Sequence, residues 1–301
     1  MNSQSLIKFT RSSALATLCA LSMTSSARAQ FTYTYYPTDT AINSDVTTDF
    51  AIVGFSGGSY NDDFTLNFTG ASSPIVEVAS RANVTGEIDS FNHSVVNMTG
   101  GSVVFFFPVG NSILNIKGGN IDSVLNEDAG VVNVTGGTVS DLEGQGKTIN
   151  VSGGTIGTLV ANVNTSRLGA TLGSCIVNVA GGEVTGEVDS YNEGILNLRG
   201  GNLDGDLYAR FGGTINLYGS NLIAPLIDAG NRGKFSLYSL SGVLEDGTVL
   251  KNKNLFIEND GVTYGHSSFT LINAVPEPGA IALLLGVGVS GVGLLMRRRR
   301  K

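Results

Sequence analysis

Tryptophan is absent from this 301-residue chain, and only 14% of its residues are charged. Its two histidines, His93 and His266, stand far apart, without metal-ligand spacing and with no serine or cysteine motif beside them, so both read as surface or cap residues. Of the two cysteines, Cys19 lies in an N-terminal apolar stretch expected to be removed, which leaves Cys175 alone. An intramolecular disulfide is then excluded from the mature chain, and a lone thiol on a strand reads as a small buried hydrophobe. No P-loop or dinucleotide fingerprint occurs, because the glycine pairs sit between strands and not ahead of helices. These shortages are unlike an ordinary soluble enzyme, yet the 42% apolar content is too high for a disordered chain.

The formal charge of −7 conceals an uneven distribution. Residues 1–29 carry Lys8, Arg11 and Arg28 without an acid, and residues 279–301 carry five bases without an acid. Removing those eight leaves 10 of the 18 basic residues against all 25 acidic ones, so residues 30–278 sit near −15. An acidic body of this kind repels phosphate backbones, and no nucleic-acid partner is expected.

What the chain has in quantity is glycine, 41 residues of it, much of it placed in a repeat. The unit apolar–Asn–apolar–x–Gly–Gly appears at Val96–Gly101, Leu114–Gly119, Val132–Gly137, Ile149–Gly154, Val177–Gly182 and Leu196–Gly201, with a degenerate copy at Ile215–Ser220. Its asparagines are Asn97, Asn115, Asn133, Asn150, Asn178, Asn197 and Asn216, at spacings of 18, 18, 17, 28, 19 and 19. The long spacing marks about ten inserted residues within 161–174. VTGEIDSFN at 84–92 and VTGEVDSYN at 184–192 agree at seven of nine positions, a second sign of duplication. Glu77 stands where one more asparagine would, and Phe235-Ser236-Leu237 fits a further copy.

Alternation dictates geometry. In Val-Asn-Val the valines share one strand face and the asparagine takes the other. Burial of each valine is worth roughly 1.5–3 kcal/mol, so the valines face in and the asparagine faces out. Gly-Gly permits positive φ and a sharp corner. Further apolar positions follow at Val103, Ile121, Val139, Ile156, Val184 and Leu203, and again at Leu125, Leu142, Val188 and Leu207. Three short strands and three corners describe one coil of an all-β fold, a parallel β-helix (solenoid) of about 18–19 residues per coil. Nine or ten coils stacked at ~4.8 Å make a rod of about 45 Å. Outward asparagines one coil apart form an amide ladder, a structural role, though a row of amides also suits sugar hydroxyls. Glycine pairs and asparagines break helices, which excludes an α-solenoid; a β-sandwich is the rival, and it leaves the one-coil recurrence unexplained. Residues 30–75 read as an N-terminal cap and lead-in, 76–240 as the repeat body and 241–274 as a C-terminal cap.

The two ends carry address signals. Lys8 and Arg11, the apolar run 14–23 and Ala27-Arg28-Ala29 form a secretory signal peptide over 1–29, cleaved between Ala29 and Gln30. Leu18 before Cys19 does not suit a lipoprotein signal. At the other end, Val275, Pro276, Glu277 and Pro278 are stiff and non-helical. The uncharged run 279–296 would span ~27 Å as a transmembrane helix, and Arg297, Arg298, Arg299, Arg300 and Lys301 form a stop-transfer cluster. VPEP, one apolar helix and a terminal arginine cluster resemble the PEP-CTERM protein-sorting signal of Gram-negative bacteria. The resemblance covers about 27 residues, 275–301. It implies processing by an exosortase, a membrane-embedded transpeptidase-like system, and frequent association with extracellular polysaccharide or biofilm matrix. The body is similar in class to the repeat regions of autotransporter adhesins and other surface β-helices.

Expected partners are therefore signal peptidase, exosortase-type machinery and the membrane through the C-terminal helix, with extracellular polysaccharide as a further candidate. The expected course is secretion across the inner membrane, transient anchoring, then the cell envelope or the outside. No catalysis, cofactor or metal is expected. The alternative is a polysaccharide-binding or -cleaving enzyme, for which Asp189, Asp204 and Asp206 with Arg199 and Arg210 lie on neighbouring coils; acids beside glycine otherwise read as solvated turns. Glu127-Asp128 and Asp62-Asp63 match no calcium-loop pattern. Within Val103–Val109, the three consecutive phenylalanines 105–107 cannot all face inward.

Overall fold

The computed structural model describes residues 41–43, 50–52, 64–68, 75–78, 83–163, 175–229, 234–258 and 266–274. Within them the chain is all-β. The strands are β1 (Ala41–Asn43), β2 (Phe50–Ile52), β3 (Phe64–Phe68), β4 (Ile75–Val78), β5 (Asn83–Asn92), β6 (Val95–Pro108), β7 (Ile113–Asn162), β8 (Ile176–Val184), β9 (Val188–Tyr191), β10 (Ile195–Leu203), β11 (Leu207–Arg210), β12 (Thr214–Ile223), β13 (Leu226–Asp228), β14 (Phe235–Leu244), β15 (Val249–Glu258) and β16 (Ser268–Asn273). The long β7 is extended chain that turns at glycine corners and contains three successive repeats.

Parallel pairing joins each residue to its equivalent in the next repeat. In a first row Glu77 pairs with Asn97 and Asn97 with Asn115. Further on, Asn150 pairs with Asn178, Asn178 with Asn197, and Asn197 with Asn216. A second row runs Val84, Val103, Ile121 and, further along, Ile156, Val184, Leu203. The third runs Phe64, Ile88, Phe106, Val124 and then Leu159, Val188, Leu207, Leu255. Three rows of parallel strands with a one-repeat offset are compatible with a β-helix.

The inward positions form one continuous apolar core. Val96, Leu114, Val132, Ile149, Val177, Leu196 and Ile215 are fully buried, as are Met98, Ile116, Val134, Val179, Leu198 and Leu217 two residues on. At the corner the second glycine takes a left-handed φ of 79° at Gly137, which an L side chain rarely adopts. Its neighbour Gly136 is excluded from substitution differently, because a Cβ there would lie 2.5 Å from the Lys117 carbonyl oxygen of the preceding repeat. Of the phenylalanines, Phe106 faces the core and Phe105 is exposed; Phe107 is buried and stacks with Phe105 at 6.1 Å between ring centroids.

The repeat is lost beyond β12. The degenerate copy keeps only Gly219 of the pair, Asn221 takes the left-handed φ of 53°, and Pro225 lacks a backbone donor. Without the paired-glycine corner the chain does not enter another parallel turn. Phe235–Leu237, whose pattern fits a further copy, instead lies in β14, antiparallel to β12, β13 and β15. The parallel rows then resume, with β15 on β11 and β16 on β12.

The amide ladder runs through the first row. Six side-chain bonds of 2.9–3.0 Å join Asn115 to Asn97, Asn133 to Asn115, Asn150 to Asn133, Asn178 to Asn150, Asn197 to Asn178 and Asn216 to Asn197, each Nδ2 donating to the preceding Oδ1. Asn133→Ala removes two of these bonds and Asn216→Ala one. Urea unfolding should show losses of about 2 and about 1 kcal/mol respectively.

Candidate functional site

The outward face of the first row is flat and regular. All seven ladder asparagines are half-buried, held between half-buried Val95, Ile113, Val131, Thr148, Ile176, Ile195 and Thr214 on one side and more exposed residues such as Thr99, Lys117 and Thr135 on the other. Each of the five inner amides uses one donor and one acceptor along the stack, Asn97 only accepts and Asn216 only donates, so the polar groups that make the face conspicuous already hold the repeats in register.

The carboxylates proposed to converge do so only in part. Arg210 places Nε 3.3 Å from Oδ2 of Asp189 and Nη2 3.6 Å from Oε2 of Glu187. Asp189 pairs with Tyr208 of β11 in the third row and is buried, not a solvated turn. Buried Glu258 of β15 accepts a hydrogen bond from the Phe211 N–H at 2.7 Å. The Arg210 guanidinium lies 4.2 Å over the Tyr208 ring, and that ring stacks on Phe256 at 4.8 Å. The Tyr208 ring is thus held by a guanidinium and by a second aromatic ring. Asp206 accepts from Asn254 at 3.0 Å, and Asp204 accepts from Asn202 at 3.0 Å, so their carboxylates are held by other partners than Arg210.

Arg199 belongs to a different cluster. Its Nη1 donates to both carboxylate oxygens of Glu245, at 2.9 and 3.1 Å, and its guanidinium lies 3.6 Å over the Tyr218 ring. The adjacent Asp246 accepts from the Gly201 N–H at 2.7 Å and the Thr248 N–H at 2.8 Å. Burial pushes the Asp246 carboxyl up, but the hydrogen bonds from Thr248 and Gly201 outweigh it and hold the group below its ordinary value. The turn that carries Glu245 and Asp246 is thereby pinned to the glycine corner at Gly200-Gly201.

Glu187, Glu258, Glu245 and Tyr208 were not among the residues the sequence singled out. Glu187 stands two positions from Asp189 and was within reach of the pattern, whereas Glu245 and Glu258 come from the irregular C-terminal strands and carry no periodic signal. Asp128 adopts a left-handed φ of 58°, and Glu127 is buried. Among the described residues no three His, Cys, Asp or Glu side chains come together to hold a metal ion. His93 and His266 are exposed. Cys175 is buried and free, and burial, the largest influence, pushes its thiol up to about 12.

The address signals lie outside the described residues: Cys19, Ala29 and Gln30 at one end, Val275–Pro278, the run 279–296 and Arg297–Lys301 at the other. Asp62-Asp63 lies outside them too. Among the described residues no helix is long and apolar enough to cross a membrane. No protein-family model matches the chain, and no curated protein or solved structure is detectably similar to it.

Two solution tests follow from the buried groups. Burial raises the Asp189 carboxyl from 3.8 to about 6; Arg210 opposes the shift, and Glu187 and Glu258 add to it. The folded chain therefore holds this proton more tightly than the unfolded chain. Its stabilising effect is complete below pH 3.8 and is lost as the pH rises through about 6. Asp189→Asn should melt above the parent protein near pH 7.5, by at most about 3 kcal/mol of stability, with the gap closing toward pH ~4. Cys175 should resist a thiol-specific reagent in the native protein at neutral pH and react fully in denaturant, because the thiolate is the reactive form.

Proposed function

We propose that this chain is a secreted, envelope-targeted structural or adhesive surface protein, built on a parallel β-helix of about 18–19 residues per coil and processed through its C-terminal sorting signal. The single observation that carries the scaffold reading is the unbroken amide ladder. The most repeated polar residue of the chain is engaged six times over in coil-to-coil hydrogen bonds, even across the 28-residue gap between Asn150 and Asn178. A repeated residue that joins coils serves length and rigidity, which suits a rod displayed at a surface.

The destination rests on the two ends. Residues 1–29 direct export through signal peptidase at Ala29-Gln30, and Val275–Lys301 direct transient membrane anchoring and exosortase-type processing, with extracellular polysaccharide as the candidate surrounding partner. A second reading, a polysaccharide-binding or -cleaving β-helix enzyme, is favoured by one observation, the pairing of buried Asp189 with Glu187 across Arg210. Any activity on a matrix glycan that disappears in Asp189→Asn would support it.

Deletion of 275–301 tests the sorting claim. Fractionation should find the parent chain in the envelope or matrix and the truncated chain shifted to the periplasm. A truncated chain that reached the same fraction as the parent would overturn the role of the tail.

A further inference from the structure

The C-terminal end of the stack exposes apolar side chains. In the third row the partners run Val188, Leu207, Leu255, Tyr238 and Leu226, so among the described residues β13 is the outermost strand there. β13 follows β12 in the chain, and β16 ends the first row on β12. The Tyr238 ring packs edge-on against Phe269 at 4.9 Å between centroids and closes the core beneath. Ile223 is nevertheless 59% exposed, Leu226 52%, Ile227 60% and Ile272 39%. These are four of the six exposed large hydrophobics among the described residues, and all four stand on the strands that end the stack. Apolar exposure gathered in one place marks a contact surface.

The same end is built against the addition of another strand. The Leu222 N–H donates to Oδ1 of Asn273 at 2.7 Å, and the Leu222 carbonyl accepts from Nδ2 of that amide at 3.2 Å. Pro225 has no N–H to offer. Ile227 is a bulge, skipped between the pairs Leu226–Tyr238 and Asp228–Leu237. A capping amide, a proline and a bulge each blunt an edge. The apolar side chains therefore suit a partner that needs no backbone register.

The exit of the chain selects that partner. The Ala274 N–H bonds the Gly219 carbonyl at 2.6 Å, so the chain leaves from this end. Four residues, 275–278, then precede the uncharged run 279–296, and they reach at most about 14 Å. With that run across a bilayer, the end of the stack is held within the same distance of lipid. Charge selects the same face. Gly219–Ala229 and Ser267–Ala274 hold one ionisable side chain, Asp228, whereas residues 30–278 as a whole sit near −15. An anionic lipid surface repels the acidic flanks of the body and admits its neutral end.

We propose that this end is a membrane-docking face: while the tail is attached, Ile223, Leu226, Ile227 and Ile272 rest in the interfacial layer of the bilayer and the stack stands end-on. The proposal rests on the reading of 279–296 as a transmembrane helix and adds a second contact, made by the body itself. A shallow apolar contact is weak alone and is strengthened by a short tether. Removal of the tail therefore releases the docked face as well.

The test uses the full chain with Cys19→Ser, reconstituted in vesicles of phosphatidylethanolamine and phosphatidylglycerol. Cys175 is buried and takes no label. A bimane probe is placed at Ile223→Cys, at Leu226→Cys or, as the reference, at Lys117→Cys. Lys117 is exposed and stands on the rung of Asn115, six rungs or about 29 Å before that of Thr270. Flotation with the vesicles reports the tail, and a nitroxide on the lipid acyl chains reports the face. The nitroxide should quench the two end probes at least about threefold more than the reference. Adding Ile227→Glu should lower that quenching roughly threefold while the chain still floats. A floating chain whose end probes are quenched no more than the reference would overturn the docking and leave the tail reading in place. End probes shielded from aqueous iodide yet untouched by the nitroxide would also overturn it, because protein then covers the face. A chain that does not float would overturn the transmembrane reading and the docking with it.

Discussion

Stacking in register is the constraint on which this body depends. Each residue lies over its counterpart one repeat earlier, so a side chain that suits one rung meets its own kind above and below. An amide on an amide is self-complementary, one N–H to one C=O, and six successive bonds of nearly equal length show how evenly the rungs are spaced. Valine on leucine or isoleucine gives a close-packed column. At the corner, the carbonyl of the preceding repeat occupies the space of a Cβ, and Gly136 and Gly153 both stand where a methyl would lie 2.5 Å from that oxygen. The repeat conserves its composition along the chain because each rung is the template for the next.

Register also explains what the stack tolerates. The extra residues between Asn150 and Asn178 leave the asparagines bonded at 3.0 Å, and the strands on either side of them keep their partners. Loss of the glycine pair after Tyr218 has the opposite effect. There the chain cannot turn in register, and it closes with antiparallel strands instead. An insertion outside the ladder is absorbed, whereas a change in corner chemistry alters the topology.

The periodic part of this architecture was legible in the sequence for the same reason. The inward Val, Leu and Ile, the outward asparagines, the glycine corners and the insertion announce themselves by recurrence, except that Val124 and not Leu125 takes the inward position of the third row. What recurs once was not legible. The antiparallel course of β14 depends on the loss of a corner that the Phe-Ser-Leu pattern does not report. The surroundings of Asp189 include the Arg210 guanidinium and the charge of Glu258, 69 residues further along. The inner corner conceals polar groups as well: Ser190 donates to the Gly194 carbonyl at 2.6 Å, and Asn126 donates to the Gly130 carbonyl at 3.0 Å. Such residues have turn-like identities, and their burial is decided by neighbours one repeat away.

The arginines show how the irregular end is joined to the regular body. A stack offers only self-similar contacts, so a cap that is unlike the repeat needs contacts of another type. Arg199 grips Glu245 from the strand that carries the Gly200-Gly201 corner, and Arg210 lies between Asp189 and Glu187 on the strand that receives β15. Both also stack on tyrosine rings, which fixes the guanidinium planes. In an acidic body these two cations hold carboxylates that would otherwise repel one another at the point where the repeat ends. Arg199 thereby attaches Glu245 of the cap, whereas Arg210 pairs two acids of the body itself. The antiparallel strands lie against the second and third rows, and Tyr238 of β14 reaches the first, where its ring packs edge-on against Phe269 of β16 at 4.9 Å between centroids.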